Sequence, residues 1–79
     1  YGTTNKLDNS GSGVKTTFMN EMSNAPQIVL LTPKTGVAGV AAPKVVSMDK
    51  TGFHATLGGS TGTDTQCYYL AIRFNYWPN

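Results

Sequence analysis

The chain has 79 residues, of which 39% are hydrophobic and only 13% charged, with a formal net charge of +2. That length bounds it to one domain, and no run is long and apolar enough for a membrane helix or a signal peptide. The basic residues Lys6, Lys15, Lys34, Lys44, Lys50 and Arg73 are scattered, and the aromatics cluster near the C-terminus away from the lysines, which argues against a nucleic-acid surface.

In chain order, residues 1–13 are polar and rich in Gly, Ser, Thr and Asn, so they read as a linker or extended arm that buries little. The folding domain is then expected over residues 14–79. Residues 14–19 alternate Val14, Thr16 and Phe18 against Lys15, Thr17 and Met19, the pattern of a half-buried strand. A polar turn over 20–26 leads to residues 27–32, whose run Ile28-Val29-Leu30-Leu31 predicts a strand covered on both faces.

Pro33 removes a donor and is expected to end that strand, and the small residues of 34–42 predict a loop. A strand over 44–49 and a turn Asp49-Lys50-Thr51-Gly52 follow, then a strand over 53–57 with Phe53, Ala55 and Leu57 inward and His54 and Thr56 outward. Residues 58–65 are too polar for a core and read as a surface loop. The last strand, 66–76, puts Tyr68, Leu70, Ile72, Phe74 and Tyr76 on one face and Cys67, Tyr69, Ala71, Arg73 and Asn75 on the other. Bulk on both faces predicts a central strand, one side in the core and the other partly against a second sheet or subunit. Strands without intervening helices give an all-β fold, a small antiparallel β-sandwich.

A domain this small is marginally stable, since folding buries only about 60% of the unfolded surface. Cys67 is the only cysteine, and no Cys/His cluster offers structural zinc, so copies of the chain are the expected reinforcement. Catalysis is not expected. His54 is the only histidine, and Asp8, Glu21, Asp49 and Asp64 fall in different loops or ends, with no carboxylate pair, nucleophile elbow or phosphate-binding glycine motif. No cofactor and no metal are expected. His54 could complete a metal site only if three copies met on a three-fold axis; a lone histidine on a polar strand face otherwise reads as exposed or hydrogen-bonded.

Cys67 reads as a small buried apolar residue, because nothing nearby in sequence would lower its pKa. The C-terminal aromatics could stack sugars, with polar neighbours as hydrogen-bond partners, or could pack in the core and interfaces. Packing is the favoured reading for Tyr68 and Phe74, and both readings stay open for Trp77. The candidate ligand set is Trp77, Tyr76, Asn75, Arg73, Asp64 and His54, and receptor contacts are expected from loops 34–42 and 58–65 and the end 75–79.

Four short patterns then combine: Phe18 on a first strand, Ala25-Pro26-Gln27-Ile28-Val29 opening the second, Lys50-Thr51-Gly52-Phe53 opening the fourth, and Tyr69-Leu70-Ala71-Ile72 in the last. Their order resembles the small C-terminal receptor-binding domains of bacteriophage tail fibres and, more distantly, the H-type lectin fold. The resemblance implies a sandwich of about six strands and a homotrimer at the distal end of a fibre. It further implies a virion component, assembled in the host cytoplasm, that binds a bacterial surface glycan or outer-membrane receptor without catalysis or membrane insertion. The polar N-terminal segment would lead from the shaft, and a chain opening on Tyr1 rather than Met is expected to be a piece of a longer one. Tyr69 stands where such domains often carry Trp, and Arg73 where a small residue is common; the charged sugar-contacting set of H-type lectins has no counterpart here. The competing readings are a structural trimerisation cap or virion decoration protein, and a cellular lectin-like module.

Overall fold

The structure, a computed structural model, describes residues 1–34, 41–58 and 65–74. Among them there is no helix, and the chain forms β1 (Gly2–Thr3), β2 (Val14–Thr17), β3 (Ile28–Pro33), β4 (Ala41–Asp49), β5 (Gly52–Gly58) and β6 (Cys67–Ile72). Two antiparallel three-stranded sheets result, one ordered β1-β6-β3 and the other β2-β5-β4. The two strands with the clearest alternation, β5 and β6, are the central ones. Central strands bond on both sides and bury at least one face, so apolar residues at every second position are selected there.

The inward residues of β5 and β6 build the core. Phe53, Ala55 and Leu57 come from one sheet and Cys67 and Tyr69 from the other, all buried together with Leu7. Val14, Phe18, Val29, Leu31, Val45 and Ala71 pack around them. Phe53 and Tyr69 meet edge to face at 5.1 Å between ring centroids, and Phe18 lies 6.0 Å from Phe53 and 5.9 Å from Tyr69. Each large apolar side chain so buried contributes about 2 kcal/mol of transfer free energy, and the ring contacts add to it.

The structure corrects the reading of the first thirteen residues, which do not stand off as an arm. Leu7 is wholly buried, Thr4 almost so, and Gly2 and Thr3 pair with Tyr69 and Tyr68. Backbone bonds hold this segment: Thr4 N donates to Cys67 O at 2.8 Å, Leu7 N to Thr65 O at 2.8 Å, and Leu57 N to Asp8 O at 2.8 Å. A polar composition predicted little burial, yet hydroxyls that find partners cost little to bury. The Thr4 hydroxyl accepts from Cys67 N at 2.9 Å, and that of Thr56 donates to the carbonyls of Asp8 and Ser10 at 3.0 and 2.6 Å. Thr56, expected to face solvent, is therefore covered by the same segment.

Other departures are local. Strand β4 starts at Ala41, inside the expected loop, and the ladder shifts register between Ala41 and Lys44, where Pro43 sits. A proline is tolerated there because β4 is an edge strand and the irregularity requires no donor. Pro33 stays in the ladder opposite Cys67, whose own N–H and C=O are turned away towards Thr4, so no donor is missed. Strand β2 stops at Thr17 and β6 at Ile72, short of the expected ends at 19 and 76. The outer face of β3 is uncovered, with Leu30 55% exposed, against the expectation of burial on both faces.

Candidate functional site

The turn between β4 and β5 is the best-anchored corner of the molecule. The Asp49 carboxylate accepts from Thr51 N at 2.7 Å, from the Thr51 hydroxyl at 2.6 Å and from Gly52 N at 3.1 Å, while Lys15 Nζ donates to it at 3.2 Å. The Thr51 hydroxyl, then its N–H, then Lys15 hold the Asp49 carboxyl well below the usual carboxylate range. Glycine is required at 52, because a Cβ there would run into the carbonyl oxygen of Thr16 on β2. This turn presents two carbonyls to the chain leaving β2. Phe18 N donates to Thr51 O and Met22 N to Lys50 O, both at 2.8 Å, and Lys50 reaches Glu21 at 3.1 Å.

Residues 18–22 are thereby laid beside Tyr69 and Ala71 of β6, and a cleft of about 470 Å³ remains between them. Phe18, Met22, Tyr69 and Ala71, buried or half-buried, form its floor, and the exposed Tyr1, Met19 and Asn20 its rim. Among the described residues no charged side chain lines it, Glu21 being turned to Lys50. The Tyr69 hydroxyl takes no hydrogen-bond partner among the described residues, although its ring is only 8% exposed and belongs to the core. A volume of this size with apolar walls and a few polar atoms suits a small neutral group.

Of the residues singled out from sequence, the two described ones, Arg73 and His54, do not line this cleft. Arg73 lies just past β6, exposed, its guanidinium donating to Ala25 O at 3.1 Å. His54 belongs to the other sheet, half-buried on the outer side of β5, with Nδ1 3.3 Å from the Ser47 hydroxyl. Asp64, Asn75, Tyr76 and Trp77 lie outside the described residues, as do 59–64 and 75–79 of the proposed contact loops and 35–40 of the first. Among the described residues no three His, Cys, Asp or Glu side chains converge as metal ligands. Burial pushes the Cys67 thiol pKa up. The cleft itself was missed because Phe18, Met19 and Met22 read as a strand end and a turn; the signal available was two flexible thioethers flanking an aromatic beside a turn.

The two sheets differ in where they carry charge. On the β2-β5-β4 side, Lys15 and Ser47 flank His54 and Lys44 is exposed, Thr56 is covered by residues 8–10, and Val46 and Met48 are 43% and 41% exposed, so polar, charged and apolar groups are mixed. On the β1-β6-β3 side, Leu30 lies opposite Leu70, Ile28 opposite Ile72, and Thr32 and Thr3 on either side of Tyr68. Leu30, Leu70 and Tyr68 are 55%, 43% and 50% exposed, and no charge interrupts them on those strands. No protein family, curated protein or solved structure matches the chain.

Proposed function

We propose that this chain is a non-enzymatic attachment domain, a β-sandwich that assembles with two further copies of itself and presents its loops to a cell-surface receptor. The observation that carries the reading is the uncharged outer face of Ile28, Leu30, Tyr68, Leu70 and Ile72. Cross-strand aliphatic pairs left in water on one sheet, with no charge among them, are what a self-associating domain presents. Burying such a face contributes about 25 cal/mol per Å² of apolar area, a gain that matters most in a domain this small.

The resemblance of the strand motifs to the distal domains of phage tail fibres gives the assembly its number, three, and its partner, a glycan or outer-membrane receptor on a bacterial surface. Binding through several identical copies makes a weak single contact effective. Fluorescently labelled domain is expected to adsorb to a bacterial host surface, and Leu70→Glu, which charges the shared face while leaving the core intact, should weaken adsorption by at least about tenfold through lost avidity. A variant that adsorbs as well as the wild type, or a wild-type domain that adsorbs to none of a broad panel of bacteria, contradicts the proposal.

A further inference from the structure

We infer that Thr3, Tyr68, Thr32 and Lys34 form a subsite for a carboxylated saccharide, with a sugar ring stacked on Tyr68. The inference rests on the proposed reading only in taking the receptor to be a glycan, and it names the chemical class of that glycan.

The outer face of the β1-β6-β3 sheet changes character along its strands. Leu30 opposite Leu70 and Ile28 opposite Ile72 are aliphatic rows, which offer a sugar no hydrogen bond and stay with the copies. The next row is Thr3, Tyr68 and Thr32, all exposed, at the margin of the aliphatic ones. Beyond it Lys34 N donates to Gln66 O at 2.9 Å, which carries the ladder one pair past Pro33 and sets Lys34 on the same face as Thr32. Neighbouring strands lie about 4.8 Å apart, and alternate residues of one strand about 7 Å. The Tyr68 ring therefore has a hydroxyl on either side, with a long cationic side chain next along β3.

Threonine and tyrosine are common on the solvent side of any strand, so the row alone is ordinary sheet chemistry. Its polar atoms are what set it apart. The hydroxyls of Thr4, Thr16, Thr51 and Thr56 are engaged within the fold. Those of Thr3, Thr32 and Tyr68 take no partner among the described residues. Lys15 and Lys50 are in ion pairs and Arg73 donates to Ala25 O. Lys34 is exposed and unpaired among the described residues, on a sheet whose strands carry no carboxylate.

The ligand class follows from these groups. An exposed phenol ring stacks on the C–H face of a pyranose, and hydroxyls that both donate and accept match sugar hydroxyls, which do the same. Lys34 supplies the charge complementarity: a carboxylate on the stacked ring or its neighbour gains a charge-assisted hydrogen bond that a neutral sugar lacks. An added peptide strand is excluded at this row, because β6 is already paired on both sides at Tyr68. A flat, exposed subsite binds weakly by itself, and several copies on one glycan surface make it effective.

The test titrates the whole, isotope-labelled chain with two acidic probes, trigalacturonic acid and sialyllactose, and with their neutral counterparts, galactotriose and lactose. At least one acidic probe should give saturable NMR shifts centred on Thr3, Thr32, Lys34 and Tyr68, and its neutral counterpart should bind at least about fivefold more weakly. Tyr68→Ala should lower the affinity for that probe by about tenfold, and Lys34→Gln should bring it to the level of the neutral sugar. Both side chains are exposed, so an unchanged urea midpoint is expected to accompany each loss. No saturable shift with either acidic probe up to tens of millimolar, equal binding of the neutral sugars, or shifts confined to other parts of the chain overturns the inference. So does undiminished binding by Lys34→Gln. A chain that assembles and adsorbs to bacteria while ignoring both acidic probes refutes this subsite and leaves the attachment reading standing; one that binds them but adsorbs to no bacterium does the reverse.

Discussion

At the scale of single residues, the most consequential positions are those that fix backbone direction. Gly52 lets β2 approach β5, and Asp49 closes the turn beside it with three hydrogen bonds and an ion pair. Because the folded-state pKa of Asp49 lies below its unfolded one, its ionised form adds stability that is complete above the ordinary value of 3.8 and is lost as pH falls through the folded value. Asp8 shifts in the same direction through its bonds to Ser10. The urea midpoint of the wild type should therefore drop on acidification from about pH 4 to about pH 2, and Asp49→Asn should flatten that drop. An equally steep fall in the variant would show that the turn carboxylate is not the group responsible. The Asp-x-x-Gly pattern was readable in the sequence because turn chemistry is local. The partners of Thr4 and Thr56 were not, since they lie 63 residues away in one case and 48 and 46 in the other.

At the scale of elements, alternation was sufficient wherever one side of a strand meets the core. The faces of β2, β5 and β6 follow from Val14, Thr16 and Phe18, from Phe53, Ala55 and Leu57, and from Cys67, Tyr69 and Ala71. It was insufficient for β1, two residues in a stretch of Gly, Thr and Asn, because that strand is held by backbone pairing and not by apolar side chains. A run such as Ile28 to Leu31 reads the same whether its second face is covered within the chain or left open, so burial of β3 on both sides was overestimated. The anchoring of the N-terminal segment rests on Leu7. Leu7→Ala should cost about 3 kcal/mol in urea unfolding, the value for a filled core position. A loss below about 0.5 kcal/mol, usual for surface sites, would mean that the segment is detached in solution.

At the scale of the whole molecule, among the described residues only β4 and β5 form a local hairpin; every other pairing there joins distant parts of the chain. Such a topology is slow to close, and among the described residues the buried apolar set is six residues with a surrounding layer. Nothing in composition distinguished the two outer faces, because exposure depends on which sheet a strand joins. The cleft likewise depends on β6 lying beside residues 18–22, a juxtaposition created by the turn carbonyls of Lys50 and Thr51. The proposed assembly requires copies of this chain to cover the Leu30 and Leu70 face. Sedimentation equilibrium of the wild type and of Leu70→Glu at tens of micromolar measures this directly. The wild type should sediment at three times the mass of one chain and the variant at that of a single chain. A folded wild type that remains a single chain throughout contradicts the account.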